Sequence, residues 1–166
     1  MNKVLITGVA GLLGSRLASW IIENTNYEVI GIDDLSGGYT ENIHNKVKFY
    51  KFNLNNLEAL KGVFEKEKIS IVYHFAAYAA EGLSPFIRKY NYDNNLITST
   101  NLITCSIQYN VSRFIFASSM SVYGDKYKPP FNEDMKQAPI DPYAVAKYAV
   151  EMDLEIAFRQ HGLNYT

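Results

Sequence analysis

Cysteine is nearly absent: Cys105 is the only one in 166 residues. No internal disulfide can form, and the composition fits a reducing compartment. Long apolar runs are missing too, and none reaches the ~20 residues of a membrane span. Neither sign of charge dominates, since 16 basic and 17 acidic residues leave a net charge of −1. That excludes the strongly basic surface by which proteins attract nucleic acid or an acidic membrane. Three histidines lie far apart, so no metal site is expected. His44 and His161 read as surface residues, and His74 as a buried group at a strand end. The chain enters a strand pattern at once, without the apolar region and cleavage site of a secretory signal, so a cytoplasmic protein is expected. Repeats and low-complexity tracts are also missing.

What is present is an alternation of strand and helix patterns. Val4–Ile6, Glu28–Ile32, Val47–Phe52, Ile69–Phe75 and Arg113–Ser118 read as strands. The fourth is almost continuously apolar, as a strand covered on both faces is. Helices are expected from Leu12 through Ile21, from Asn56 to Lys66, from Pro85 to Tyr109 and from Asp141 to His161. Leu57, Leu60, Val63 and Phe64 mark the buried face of the second helix. Asp141 reads as N-cap of the last, with Pro142 at its first position. Pro129-Pro130 forbids regular structure between Gly124 and Ile140. The alternation implies an α/β fold, a doubly wound parallel sheet of Rossmann type. Gly162–Thr166 reads as a helix stop and the start of a sixth strand.

Between the first strand and the first helix lie Gly8, Gly11 and Gly14, three residues apart. A nucleotide pyrophosphate needs such a turn. Gly8 lets the chain leave the strand tightly, Gly11 leaves room for phosphates, and Gly14 lets the helix pack closely. The helix start then offers free N–H groups to the anion. Asp33 closes the second strand, where a carboxylate accepts hydrogen bonds from an adenosine ribose and repels a 2′-phosphate. No Arg or Lys follows before Lys46, so NAD is expected rather than NADP. Asp34 reads instead as a turn residue ahead of Leu35-Ser-Gly-Gly38.

Ligands of such sheets bind beyond the C-terminal strand ends, where strand order reverses. Thr7-Gly8, Phe75-Ala76-Ala77 and Ser118-Ser119 should therefore converge on one crevice. Tyr143 and Lys147 are four apart on the last helix and share a face. A free tyrosine, with a pKa of about 10, is a poor base at neutral pH. A neighbouring ammonium is expected to lower that value and let Tyr143 accept a proton from a substrate hydroxyl, with Ser119 bonded to the same oxygen. In a chain with 13 tyrosines such a pair arises by chance. Its weight comes from following a Ser-Ser strand end in a chain that opens with the glycine turn.

Five stretches then match one family in order: Thr7-Gly-Val-Ala-Gly-Leu-Leu-Gly14, His74-Phe-Ala-Ala77, Tyr92-Asp-Asn-Asn95, Ser118-Ser-Met-Ser-Val-Tyr-Gly124 and Asp141-Pro-Tyr-Ala-Val-Ala-Lys147. The chain resembles the extended short-chain dehydrogenase/reductases, within their NAD-dependent epimerase/dehydratase group, and most of all the UDP-glucose 4-epimerase branch. The resemblance implies catalytic roles for Ser119, Tyr143 and Lys147. It implies a cofactor site of Gly8, Gly11, Leu12, Leu13, Gly14, Asp33, Asn53, Leu54, Phe75, Ala76, Ala77 and Asn95, joined by Tyr143 and Lys147. Asn95 takes the family's structural asparagine position. NAD is the implied cofactor and a nucleotide-sugar, a UDP-hexose, the implied substrate. Pairing into a homodimer through the two long helices is implied as well.

Departures from the pattern are as informative. Asn53 replaces an Asp that contacts adenine, Thr98-Ser99 replaces a Gly-Thr pair, and Ala79 replaces a Lys near the nicotinamide, with Glu81 close behind. No Asp-Glu pair follows Ser119-Met120, where a nucleotide-sugar 4,6-dehydratase would need one, which ranks dehydration below epimerisation; a reductase of the same family is a further alternative. Members of the family run to about twice this length. Residues 1–166 are therefore expected to form the NAD-binding domain, without the substrate domain and with the fifth strand left as an exposed edge. A non-catalytic NAD-binding fragment is the alternative to an enzyme.

Overall fold

The computed structural model describes residues 2–166. Five strands, β1 (Lys3–Thr7), β2 (Glu28–Asp33), β3 (Lys48–Lys51), β4 (Ile71–His74) and β5 (Arg113–Phe116), form one sheet. All are parallel, in the order β3-β2-β1-β4-β5. Alternation along each strand sends side chains to opposite faces. Val4, Ile6 and Val29 meet Ala18 and Ile21 of helix α1 (Leu12–Asn24) on one face. On the other, Leu5, Ile30, Val72 and Phe114 pack against α2 (Leu57–Glu67), α4 (Thr98–Gln108) and α5 (Pro142–His161). Strand order reverses between β1 and β4, so the crevice opens above their C-terminal ends.

Helix signals hold at the chemistry of their ends. Asn56 caps α2 by accepting from Ala59 N, and Asp141 caps α5 by accepting from Ala144 N. The long helix expected from Pro85 to Tyr109 is instead a composite. A 3-10 turn (Glu81–Phe86) leads to a short α3 (Arg88–Tyr92), a π-helical turn (Asp93–Ile97) and then α4. Pro85 has no N–H for an α ladder. The π turn coincides with two hydroxyls that bond back to carbonyls, Thr98 to Asn94 and Ser99 to Asn95, each at 2.7 Å. Such bonds compete with the regular ladder.

The outer edge of β5 is also not bare, contrary to expectation. Phe114 N donates to Asn164 O at 2.8 Å, Thr166 N to Phe114 O at 2.9 Å, and Phe116 N to Thr166 O at 2.9 Å. Residues 164–166 thus begin a sixth parallel strand, with Tyr165 bridged to Phe114.

Below the crevice, one line of hydrogen bonds joins β1, β4 and the helical layer. Ser99 Oγ donates to Asn95 O, so it accepts from His74 Nε2 at 2.9 Å. His74 is therefore the neutral Nε2–H tautomer, and its Nδ1 accepts from Thr7 Oγ1 at 2.7 Å. Thr7 Oγ1 in turn accepts from Ala76 N at 3.2 Å. Thr7, His74 and Ser99 are all buried. Burial, with Lys147 nearby, pushes the His74 pKa down from 6.5 to about 3. At the opposite end of the sheet, buried Glu67 receives Lys3, Lys48 and the Tyr50 hydroxyl. Its pKa falls from 4.5 to about 2: burial pushes it upward, but those three donors outweigh burial.

These shifts set a pH dependence of stability. Between pH 6.5 and about 3 the unfolded chain protonates His74 and the folded chain does not. Stability from this group is complete above pH 6.5 and is lost as pH falls, by about 1.4 kcal/mol per unit. Glu67 adds its own loss only below pH 4.5. Denaturant titrations at pH 6.5 and 4.5 should show this slope, and His74→Gln should flatten it.

Candidate functional site

The glycine turn makes a cradle by contact rather than by composition. Gly8 sits at φ +70°, and a Cβ there would lie 2.8 Å from Ala76 N. A Cβ on Gly14 would lie 2.2 Å from the Gly8 carbonyl oxygen. The start of α1 thus rests on the turn itself. Gly11 caps that helix with no side-chain hydrogen bond, and its first turn carries no acidic residue. The amides and positive dipole end are left for an anion. The Leu12 and Leu13 side chains point to solvent, so their contribution to such a site is restricted to the backbone.

Asp33 stands beside this cradle. Its Oδ2 accepts from Ala10 N at 3.0 Å and its Oδ1 from Leu35 N at 2.8 Å. A carboxylate with about four acceptor positions keeps capacity for ribose hydroxyls. Asp34 is the turn residue the sequence suggested, accepting from Ser36 N at 2.8 Å. It also binds Asn53, whose Nδ2 donates to Asp34 Oδ2 at 2.6 Å. Burial works to raise the Asp34 pKa, but these hydrogen bonds win and hold it below its ordinary value. The carboxamide at position 53 therefore supplies a donor that an aspartate could not.

One cleft gathers most of the expected cofactor residues. Gly8, Gly11, Asp33, Asn53, Leu54, Phe75, Ala76 and Ala77 all line it. Tyr90, Asn94 and Thr98 of the composite helix line it as well and were not foreseen, because the π turn that holds Asn94 and separates Tyr90 from Thr98 has no periodic signature in sequence. Asn95 does not line it. It is 2 % exposed, accepts from Tyr78 N at 2.7 Å, and donates to Tyr78 O at 3.1 Å and Asn91 Oδ1 at 2.8 Å. Its amide holds the far end of the Ala76–Tyr78 segment while Thr7 holds the near end.

The second cluster sits at the start of α5. Tyr143 and Lys147 are both buried, with Lys147 Nζ 5.7 Å from the Tyr143 ring centre. Lys147 Nζ donates to Ala117 O at 2.8 Å and lies 4.7 Å from the Phe116 ring centre. Burial lowers its pKa to about 8, against the raising field of Glu151. Glu151 accepts from the Ser118 hydroxyl. Ser119 Oγ accepts from Ser121 N at 3.2 Å and from Ser121 Oγ at 2.9 Å. Both acceptor positions are filled, so the Ser119 proton is free to point at the Tyr143 phenol.

The expected lowering of the Tyr143 pKa by Lys147 is corrected here. Burial raises the phenol above its ordinary value, Ser119 opposes the rise, and Glu81 and Asp141 add to it. The Lys147 ammonium is held by the Ala117 carbonyl rather than by the phenol. A phenolate at this position therefore requires further positive charge.

Buried Ser84 ties this end together. Its Oγ donates to Glu81 O at 2.8 Å, lies 3.3 Å from Asp141 Oδ1, and accepts from Tyr143 N at 3.2 Å. No sequence signal marks Ser84, since a lone serine in a loop is commonplace. Among the described residues no His, Cys, Asp and Glu cluster fits a metal ion, and no helix is long and apolar enough to cross a membrane.

Residues 4–166 match the model of the NAD dependent epimerase/dehydratase family. A UDP-glucose 4-epimerase of Schizosaccharomyces pombe is 36% identical over 165 residues, covering 93% of this chain and 46% of the relative. A UDP-glucuronate 4-epimerase of Thermodesulfobacterium geofontis is 32% identical over 174 residues, with 98% and 52% covered. Among solved structures, the UDP-glucose 4-epimerase of Thermotoga maritima with UDP-glucose superposes with a TM-score of 0.94 at 37% identity, over 98% of this chain and 53% of that one. The Brucella ovis enzyme in complex with NAD gives 0.93 at 30% identity, with 99% and 50% covered. The chain spans about half the length of the curated relatives it matches.

The Lys147 environment can be tested directly. Its ammonium should titrate near pH 8 in a carbon NMR titration of labelled lysines. Glu151→Gln removes the field that favours the charged form, so the midpoint should move lower.

Proposed function

The chain belongs to the NAD dependent epimerase/dehydratase family, and we propose that it binds NAD and forms the catalytic part of a nucleotide-sugar 4-epimerase acting on a UDP-hexose. The observation that carries the reading is the presence of two groups on one side of the sheet's strand ends: the glycine cradle with Asp33, which lines the cleft, and buried Tyr143 and Lys147 with half-buried Ser119, which lie outside that lining. The cradle follows β1, where sheet order reverses, and Ser119 follows the neighbouring outer strand β5.

The residues fit a dinucleotide. Gly8 and Gly14 leave no room for side chains where the turn and α1 meet. The uncapped amides at the start of α1 would hold the pyrophosphate, and Asp33 the adenosine ribose. Asn53, Leu54, Phe75, Ala76 and Ala77 form the cleft walls around it, with Asn95 holding one wall in place. Bound NAD supplies a hydride acceptor that can also return the hydride, and a positive charge at its oxidised ring.

The protein's own part is proton transfer. Tyr143 would take the proton from the sugar 4-hydroxyl as that carbon is oxidised to the ketone, and would give it back when the ketone is reduced from its other face. Ser119, with its proton unassigned to any neighbour, donates to that oxygen and keeps it oriented. Lys147 stays charged through Glu151 and holds ribose hydroxyls near the phenol. The overall reaction consumes no reductant. Met120-Ser121 offers no acid and base for eliminating water, which favours epimerisation over dehydration.

Calorimetry with NAD is the first test. Binding in the micromolar range should raise the melting temperature. Asp33→Ala should weaken binding at least about tenfold, a loss of about 1.4 kcal/mol, and unchanged affinity removes the ribose assignment. Sugar-nucleotide turnover should be measured on the chain alone and within a full-length protein. There, Tyr143→Phe should cut turnover by about a thousandfold or more while NAD affinity changes far less than in Asp33→Ala. Normal turnover in that variant would falsify the proton-transfer role.

A further inference from the structure

The cofactor end of the cleft is explained by the reading above, but the turn that faces Tyr143 carries a charge it does not use. Glu81 opens the 3-10 turn Glu81–Phe86, is exposed, and has no ion-pair partner among the described residues. Its backbone carbonyl accepts from Ser84 Oγ, the same oxygen that receives the Tyr143 amide. Two bonds through one buried hydroxyl therefore hold the Glu81 turn against the first turn of α5. Its field reaches the phenol and works with Asp141 against ionisation. Asp141 has its Oδ1 engaged in capping α5, so Glu81 is the free carboxylate of the pair.

We propose that Glu81 is a specificity-determining residue that selects neutral hexoses and disfavours uronates at the sugar end of the cleft. The proposal rests on the epimerase reading, because it takes Tyr143 as the mark of the reacting hydroxyl. The ring atom that bears C6 adjoins the atom that bears the 4-hydroxyl. A carboxylate at C6 therefore lies well within ~8 Å of the reacting oxygen, a screening length at physiological salt. It meets the unpaired Glu81 and the Asp141 charge together, and like charges at that range repel. A hydroxymethyl group at C6 meets only dipoles. The cation of the cluster, Lys147, is buried and bonded to Ala117 O, and among the described residues no ion pair joins it to Glu81. Relatives of this chain act on both kinds of sugar by their names, one a UDP-glucose and one a UDP-glucuronate 4-epimerase. Membership of the family alone leaves this choice undecided.

The test is calorimetric titration of UDP-glucose and UDP-glucuronate into the NAD-loaded protein at low salt, for the native chain and for Glu81→Gln. The substitution keeps the shape of an exposed side chain and leaves the Ser84 bonds, which run through backbone and hydroxyl, in place. The native protein should prefer UDP-glucose by about tenfold or more. In Glu81→Gln the ratio should fall at least about fivefold, mainly through tighter UDP-glucuronate binding. An unchanged ratio overturns the proposal, as does an NAD-loaded protein that binds neither sugar nucleotide. Failure to bind NAD at all overturns the functional reading and takes this proposal with it, so the two failures are told apart by the NAD titration alone.

Discussion

The hydrogen-bonded line from Ser99 through His74 and Thr7 to the Ala76 amide is the constraint on which the cleft depends. It crosses the point where strand order reverses and sets how far β1 and β4 stand apart at their C-terminal ends. The direction of every bond in it follows from one fact, that Ser99 gives its proton to a helix carbonyl. His74 must then be neutral, and Thr7 must present lone pairs to Ala76 N. Directly above, Gly8 passes so close to Ala76 that no side chain fits between them. A polar line in a dry interior is costly unless complete, and this one is complete: no buried side-chain nitrogen or oxygen among the described residues lacks a partner.

The same segment is held twice. Thr7 takes its start at Ala76, and Asn95 takes both backbone groups of Tyr78. Between these points Ala76 and Ala77 form a rigid, small-residue wall. Its rigidity comes from side chains that never reach the cleft. Asn95, which the resemblance put at the family's structural asparagine position, makes its hydrogen bonds within this frame and does not line the cleft. The Tyr143 end is organised by the same logic, with Ser84 as the common partner of a loop and a helix start.

Electrostatics set the cleft and the Tyr143 group apart. At the glycine cradle the helix dipole and free amides favour negative charge. Around Tyr143, burial and two carboxylates oppose it, and Lys147 is held to a carbonyl at 2.8 Å. The phenol thus stays protonated until further positive charge arrives.

Much of this was legible in the sequence because it is written in local, periodic signals. The five strands, the glycine spacing, the Asp141 cap and the Tyr143–Lys147 face depend on neighbours within a few residues, where backbone geometry follows directly from residue type. The composite helix, the cleft walls at Tyr90, Asn94 and Thr98 and the Ser84 tether were not legible, and the sixth strand read at Gly162–Thr166 was legible as a strand but not as the cover of β5. Apart from the composite helix, which Pro85 and hydroxyls bonding four residues back set locally, each is a contact between segments far apart in the chain, and a serine or a tyrosine carries no mark of the partner it will meet. Sequence by itself determined the fold class, the order of elements and the chemistry available at the strand ends. Only tertiary structure decided which hydroxyls and amides became framework, which stayed free for a ligand, and which charges the Tyr143 phenol feels. Burial and hydrogen-bond direction are set by the packed neighbours, not by the residue alone.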